Sequence, residues 1–151
     1  MTNTLEHANH TVDPEIDPAL TDALRTQMPL ADLMQVSASQ GTADQVVTHA
    51  DWQPQFCGIG GVLHGGYLMA LADGTGATLA FLNLAGDERT TTIESNTNFF
   101  RPVTDGSVHA VASIVHRGRT TIVVQTDITN DAGSLVSRTT QTQAVRQNGR
   151  G

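Results

Sequence analysis

The feature that most constrains this chain is a glycine-rich turn that runs directly into a long apolar segment, together residues 60–84. The apolar segment has the length of a helix, and it is apolar on nearly every side, which is typical of a helix enclosed by other structure. One acidic residue, Asp73, lies about two turns inside it. Burying a carboxylate among leucine, methionine and alanine costs free energy unless the group has a partner or a task. The rest of the chain is therefore expected to wrap around this helix.

The order of the predicted elements indicates an α+β fold. Asp17 followed by proline predicts the start of a short helix that runs from Pro18 to about Met28. The central helix is expected from Gly65 to Leu84, with two strands before it and four after it. Consecutive strands around one buried helix predict an antiparallel sheet that curls around that helix. The predicted strands are residues 29–39, 42–50, 91–100, 106–116, 120–129 and 134–145.

Length and charge indicate a small acidic globular domain. The 151 residues fit one domain, expected over 17–146, with a flexible arm at 1–16 and a tail at 147–151. The net charge of −7 argues against general nucleic-acid binding. Cys57 is the only cysteine, so no disulfide framework is expected. The apolar segment is interrupted by Asp73, which argues against a membrane span, and a cytoplasmic location is expected by default because no signal-peptide pattern is present.

Neither a metal nor a cofactor is expected from the motifs. His109 and His116 are seven residues apart on one predicted strand, which places them on opposite faces. Cys57 and His64 lack further ligands at the spacing of a zinc site. The glycines of residues 58–61 lack the third glycine and the βαβ setting of a dinucleotide site. No phosphate-binding loop and no serine-nucleophile motif occurs in the sequence.

The group that remains is His64-Gly65-Gly66 together with Asp73. The N–H groups of Gly65 and Gly66, at the positive end of the helix dipole, can hold a developing oxyanion. Asp73 can act as the base that activates water, or as the nucleophile itself. On local chemistry alone, a glycine turn beside an aspartate that is hydrogen-bonded for structural reasons explains the same residues equally well.

Helix geometry separates the two halves of this group. Asp73 lies eight residues beyond Gly65, which at ~1.5 Å per residue is about 12 Å along the helix axis. One carboxylate cannot reach an atom held at the start of its own helix. If both halves act on one carbonyl, they must come from two antiparallel helices, and a two-fold dimer supplies that arrangement with two equal sites.

At this point two motifs carry a resemblance to a known family. The strings HGGxxxxLAD at residues 64–73 and FFRPV at residues 99–103 are similar to those of the hotdog-fold acyl-CoA thioesterases. The nearest groups are the phenylacetate-pathway (PaaI-type) and the Arthrobacter-type 4-hydroxybenzoyl-CoA thioesterases, and the resemblance covers about residues 29–146. It implies a hotdog fold, dimers paired into homotetramers, and a thioester hydrolase that needs no metal.

The resemblance also implies roles for individual residues. Asp73 corresponds to the catalytic carboxylate, and Gly66 with Gly65 corresponds to the oxyanion end. His64 either shapes the turn or touches the thioester. Tyr67, one turn into the helix, is expected to pack in the core or to line the acyl pocket rather than to transfer a proton.

Two positions depart from the family pattern. Family members often carry Asn or Gln six residues before the motif histidine, where this chain has Gly58; Gln55 or Gln53 can take that place if the loop between is looped out. Aryl-specific members carry Thr four residues after the acid, where this chain has Ala77. The residues left to hold the attacking water are Thr75, Thr78 and Thr92.

The arginines give a separate indication of a CoA ligand. In this acidic protein Arg117 and Arg119 flank a hairpin glycine, and Arg101 follows the preceding predicted strand. A charged hairpin tip is commonly just solvated, but CoA carries a 3′-phosphate and a pyrophosphate, which arginine clusters suit. The resemblance places Arg119 and Thr120 where the nucleotide end of CoA lies.

These observations predict an enzyme that hydrolyses an acyl-CoA thioester to free acid and CoA. Two alternatives stay open. A hotdog-fold enoyl-CoA hydratase or dehydratase would use His64 and Asp73 as a pair that converges on the acyl carbons. A non-catalytic acyl-CoA-binding protein would need Asp73 only for its structure.

Overall fold

A computed structural model describes residues 14–147 of the chain and contains one long helix packed against one six-stranded antiparallel sheet. Residues 1–13 of the expected arm and 148–151 of the expected tail lie outside the described residues. The helices are α1 (Pro18–Gln27), α2 (Pro29–Leu33) and α3 (Gly65–Phe81), and the strands are β1 (Ser37–Gly41), β2 (Gln45–Asp51), β3 (Glu88–Phe99), β4 (Ser107–Arg117), β5 (Thr121–Asn130) and β6 (Leu135–Gln147).

The sheet wraps around α3. Its strand order is β1-β2-β4-β5-β6-β3, so β1 and β3 form the two edges. Helix α3 contacts β2, β3, β4, β5 and β6, whereas α1 packs on β1 and on α2. The predicted α+β architecture, a sheet around one central helix as in the hotdog fold, is therefore confirmed.

Helix α3 begins and ends for local reasons. His64 has an extended backbone, and its side chain accepts a hydrogen bond from the Gly66 N–H at 2.9 Å, which caps the helix. Leu71 and Leu79 are fully buried against the sheet, and each such side chain stabilises the fold by roughly 2 kcal/mol. The helix is three residues shorter than expected, because the Asn83 side chain donates to the Leu79 and Ala43 carbonyls and ends the regular hydrogen bonding.

The prediction of one strand over residues 29–39 is wrong in its first half. Residues Pro29–Leu33 form α2, and the strand begins only at Ser37. Pro29 occupies the first helical position, where its fixed φ suits a helix and its missing N–H removes no hydrogen bond. Gln35, at φ 55°, then redirects the chain into β1.

The prediction that His109 and His116 lie on opposite faces of β4 is also wrong. The pairing of β4 with β5 shifts by one residue between Ile114 and His116, which is a β-bulge that reverses the alternation of faces. His116 pairs with Val123, whose neighbour Val124 points into the core. Both histidines therefore lie on the outer face, although seven residues at ~3.3 Å each keep them about 23 Å apart.

His109 instead pairs with His49 on the neighbouring strand β2. Their Nδ1 atoms lie 2.8 Å apart, and His109 Nε2 lies 2.9 Å from an Asp131 oxygen. Because Asp131 accepts, His109 Nε2 donates and its Nδ1 accepts from His49, whose Nε2 accepts from the Ser39 hydroxyl at 2.7 Å. Burial and the neighbouring His109, opposed by Asp51, lower the pKa of His49 to about 4.

Acid should destabilise the protein through His49. The folded state lowers the pKa of His49 from 6.5 to about 4, so between these values the unfolded chain binds more protons and stability falls as pH falls. We expect the urea-derived free energy of unfolding to drop by about 1 to 3 kcal/mol more in the wild type than in His49→Gln. His116→Gln is the control, and it should keep the wild-type pH dependence; a His49→Gln curve that follows the wild type would contradict this assignment.

Candidate active site

Asp73 lies at the middle of α3, half-buried, with one carboxylate oxygen held from the sheet side. Its Oδ1 accepts the Thr92 hydroxyl at 2.8 Å and the Gln141 side-chain N–H at 3.1 Å. Thr92 thus bonds to the carboxylate itself. The other two threonines considered for holding water are engaged within the helix, since Thr75 donates to the Leu71 carbonyl and Thr78 to the Gly74 carbonyl.

A second glutamine stands behind Thr92. Gln143 donates to the Thr92 hydroxyl oxygen at 2.7 Å and accepts from the Thr90 hydroxyl at 3.1 Å. Because Thr92 accepts from Gln143, its single proton is directed to Asp73. Neither Gln141 nor Gln143 is identified by the sequence reasoning, although the alternating polar residues of β6 give the signal: the side chains buried on its inner face are Ser137, Thr139, Gln141 and Gln143.

A cavity of about 410 Å³ opens beside Asp73 between α3 and the two short helices. Its polar lining consists of Gln27, Thr48, Asp73 and Thr75, of which Thr48 and Thr75 bond to each other at 2.6 Å. The cavity size is within the range of small-molecule sites. Most of the remaining lining is aliphatic or thioether, and it includes Leu24, Met28, Leu30, Ala31, Met34, Val36, Ala70 and Leu71.

The start of α3 forms a separate half-site. The Gly66 N–H is taken by His64, and within residues 14–147 the Gly65 N–H donates to no protein acceptor. A second cavity, of about 330 Å³, adjoins Gly65 and is lined by Phe99 and by the segment 100–103. Since Gly65 and Asp73 lie on one continuous helix, they are about 12 Å apart along its axis. Within one chain, Gly65 and Asp73 therefore cannot act on the same carbonyl group.

The loop before α3 protrudes from the domain. Cys57 and Leu63 form an isolated antiparallel bridge, and the Gly58 N–H donates to the Val62 carbonyl. These contacts close residues 58–62 into a small loop. The His64 N–H consequently bonds to the Phe56 carbonyl at 2.9 Å. Gly58 itself stays next to the start of α3, since a Cβ there would lie 3.4 Å from the His64 ring, and Gln55 is exposed on the same loop. The Gln55 amide donates to the Gln53 side chain, and Gln53 donates in turn to Gln35.

The arginines expected to bind CoA differ in their engagement. Arg101 donates to the Leu135 carbonyl at 2.8 Å, and Arg117 donates to the Asn83 carbonyl at the end of α3. Within the described part of the chain, the Arg119 side chain makes no hydrogen bond or ion pair. Its neighbour Thr120 accepts the Val145 N–H through its carbonyl, so the hairpin that carries Arg119 is fixed to β6.

Tyr67 is placed by packing. Its ring stacks on Phe56 with centroids 4.7 Å apart, and its hydroxyl donates to the Met34 carbonyl at 3.2 Å. Burial, with a smaller contribution from Asp51, raises the pKa of Tyr67 to about 12. A phenol with this pKa and this hydrogen bond is poorly suited to proton transfer near neutral pH.

Residues 14–147 contain neither a cluster of metal-binding side chains nor a helix able to span a bilayer. No set of three or more His, Cys, Asp and Glu side chains in this range is grouped as a metal site requires. None of the helices in the same range has the length and hydropathy needed to cross a bilayer.

The sequence is similar to those of known thioesterases and esterases. The sequence model of the thioesterase superfamily matches residues 60–137. Two curated relatives from Mycobacterium tuberculosis are 32% identical over 58% of this chain, and the chain spans only 65% of their length. A 1,4-dihydroxy-2-naphthoyl-CoA hydrolase from Escherichia coli is 31% identical over 56% of this chain and 62% of its own length.

The fold is similar to that of solved thioesterases. The crystal structure of a thioesterase from Haemophilus influenzae superposes with a TM-score of 0.79 at 26% identity, over 84% of this chain and 90% of that one. The matched residues 60–137 include the start of α3, Asp73 and the strand that carries Thr92. The chain belongs to the thioesterase superfamily.

Proposed function

We propose that the protein hydrolyses acyl-CoA thioesters to a free acid and CoA, at sites shared between two copies of the chain. The observation that carries this proposal is the state of Asp73. Two donors hold one of its carboxylate oxygens on the sheet side, while its side chain lines an apolar cavity. A carboxylate held in this way beside space for an acyl group suits attack on a carbonyl or on water.

The opposite half of the site polarises the thioester. Its carbonyl oxygen is bound by the free Gly65 N–H, at the positive end of the α3 dipole, where charge develops as the tetrahedral intermediate forms. Gly66 adds a second donor once the His64 ring moves off its N–H. His64 thereby caps α3 and is also the residue nearest to the incoming thioester.

Asp73 of the partner subunit then completes the reaction. It takes a proton from water as the water attacks the carbonyl carbon, or it attacks to form an anhydride that water cleaves. In both cases the C–S bond breaks and the electron pair leaves on the CoA sulfur. Since a thiolate is a good leaving group, no strong general acid is required.

The edge strand β3 is the proposed dimer seam. It pairs only with β6, so its other edge is unpaired within the described chain, and Ile93 and Phe99 on it are half-exposed. Pairing two β3 edges about a two-fold axis continues the sheet and sets two α3 helices side by side in opposite directions. Gly65 of each copy then meets Asp73 of the other, and we propose that such dimers pair into tetramers.

The CoA portion is proposed to extend over the surface near the hairpin between β4 and β5. Arg119 supplies a cation for a phosphate, the Thr120 backbone fixes the hairpin, and Arg117 lies at the end of β4 beside it. Arg101 is far from this hairpin within one chain, because it is bonded to the Leu135 carbonyl at the other end of the sheet. Gln55, exposed on the loop before α3, is proposed to help place the thioester. The apolar cavity beside Asp73 favours an uncharged acyl group.

Removing the carboxylate should abolish turnover. Asp73→Asn keeps the size and one oxygen for the Thr92 and Gln141 donors but cannot act as a base or nucleophile, so we expect thiol release to fall by at least ~100-fold. Free CoA is followed with a thiol reagent over a panel of acyl-CoA substrates. No release by the wild type, or undiminished release by the variant, would refute the proposal. A hydratase would instead change the enoyl absorbance without freeing thiol.

A shared site predicts complementation between two inactive variants. A Cβ at Gly65 would lie 3.2 Å from the Phe99 ring, so Gly65→Val should block the oxyanion half, while Asp73→Asn removes the carboxylate half. A dimer with one copy of each, purified through two different tags, contains one intact site and should show about half of the wild-type activity. Circular dichroism and gel filtration check that both parents are folded. Mixed dimers no more active than their parents would show that each chain holds a complete site.

The cavity beside Asp73 should set the preferred acyl length. Ala70→Leu adds volume to its wall, and loss of room for part of the chain costs roughly tenfold or more in kcat/KM. We expect this loss for medium-chain acyl-CoA substrates and a change below about threefold for acetyl-CoA. Ala43→Leu, at an exposed turn, is the control. Equal losses for short and long substrates would place the acyl group elsewhere.

A further inference from the structure

Gln141 of β6 and Gly76 of α3 lie against each other beside Asp73. Gln141 lies on β6, fully buried, across from Ser95 of β3 and Val124 of β5. Its side-chain nitrogen donates to two acceptors of Asp73, the main-chain carbonyl at 3.3 Å and Oδ1 at 3.1 Å. One amide therefore hydrogen-bonds to both the backbone and the side chain of Asp73.

The other half of the same amide is left without a partner. Gln141 Oε1 is a buried oxygen with no hydrogen bond. A buried polar atom without a partner is unfavourable and uncommon in native proteins. Turning the amide over would not help, because its oxygen would then face the Asp73 carboxylate and carbonyl. The orientation is thus determined by Asp73, and the unpaired oxygen is its consequence.

Gly76 supplies the space for this amide. A Cβ at residue 76 would clash with Gln141 Oε1 and would lie 2.7 Å from its Cδ. No side chain other than hydrogen fits there while Gln141 keeps its position. Gly76 is one turn beyond Asp73 on α3, so the close approach of β6 to the helix occurs at the height of the carboxylate.

A β-bulge aligns the second donor with the first. The pairing of β3 with β6 shifts between Thr92 and Glu94, which leaves Ile93 as the extra residue. Bulges re-aim side chains, and they are frequent beside active sites. Here the bulge lets Thr92 face Asp73 on one side of the shift and Thr97 face Thr139 on the other, both from the inner face.

We infer that Gln141 is a positioning residue for Asp73, and that Gly76 leaves the space that Gln141 occupies. Together with Thr92, Gln141 occupies Oδ1 and fixes the carboxylate plane, so Oδ2 is the oxygen presented to water or to the thioester. Within residues 14–147 no side chain or backbone group donates to Oδ2. This inference rests on the proposed function for its kinetic consequence, but its geometric content does not depend on the substrate.

The kinetic test replaces the amide by an apolar side chain of similar length. Gln141→Met should leave KM within about threefold and lower kcat by about tenfold to a hundredfold, because the carboxylate is no longer held in one orientation. Thr139→Val is the matched control: it lies on the same strand, is equally buried and loses one hydrogen bond, to Thr97. A kcat for Gln141→Met equal to that of Thr139→Val would overturn the inference.

A double-mutant cycle tests the role of Gly76. Gly76→Ala should lower kcat in the wild type, because its methyl group displaces the Gln141 amide. In a Gln141→Ala background, where the amide is already gone, the same substitution should have little further effect. Equal effects of Gly76→Ala in the two backgrounds would show that the glycine acts independently of Gln141.

A measurement without substrate separates this inference from the proposed function. In proton–nitrogen NMR spectra the Gln141 side-chain amide, assigned by its loss in Gln141→Met, should be protected from exchange with solvent. Its resonances should move in Asp73→Asn and stay in place in Thr139→Val. Protected, shifting signals in a protein that releases no thiol would support the contact and reject the proposed reaction. Unprotected signals that ignore Asp73 would reject the contact itself.

Discussion

The structure depends on the hydrogen bonds that replace water at one carboxylate inside an apolar helix. Asp73 lies among Leu71, Ala72 and Gly74 on a helix that is surrounded by the sheet. Taking a carboxylate out of water is costly unless hydrogen bonds to the protein replace those to water. Thr92 and Gln141 provide that replacement. The polar inner face of β3 and β6 is thus a direct consequence of placing an acid in the middle of α3.

This arrangement divides the sheet into two parts with different tasks. Strands β2, β4 and β5 bury apolar side chains in the hydrophobic core around α3, among them Val46, Val108 and Val124. Strands β6 and β3 instead supply hydroxyl and amide groups at the height of Asp73. A core of this mixed kind is stable only if its polar groups are mutually satisfied. The Gln141 oxygen is one of two buried side-chain atoms in the described residues that are not.

The sequence alone predicts the fold well, because its strongest signals are local. The residue patterns predict five of the strands within a few residues. The uniformly apolar sequence of α3 predicts that other structure surrounds this helix. The failures have physical causes that no local pattern contains. The bulges at Ile93 and Val115 are defined only by the register of the partner strands. Pro29 is the exception, because a proline at the first helical position is itself a local signal.

The candidate site likewise contains some residues that have a local sequence signal and others that are found only from tertiary contacts. Asp73 and the glycines at residues 65–66 are visible in the sequence, because a lone acid and a helix start have local signatures. The residues that hold Asp73 are not, since Gln141 is 68 positions away in the chain. A buried glutamine on a strand looks like a surface residue until its neighbours are known. The acidic residue of the candidate site can therefore be inferred from sequence, whereas the orientation of its carboxylate is set by tertiary contacts with residues of distant strands. In this protein the orientation leaves Oδ2 of Asp73 as the carboxylate oxygen that accepts no hydrogen bond within residues 14–147.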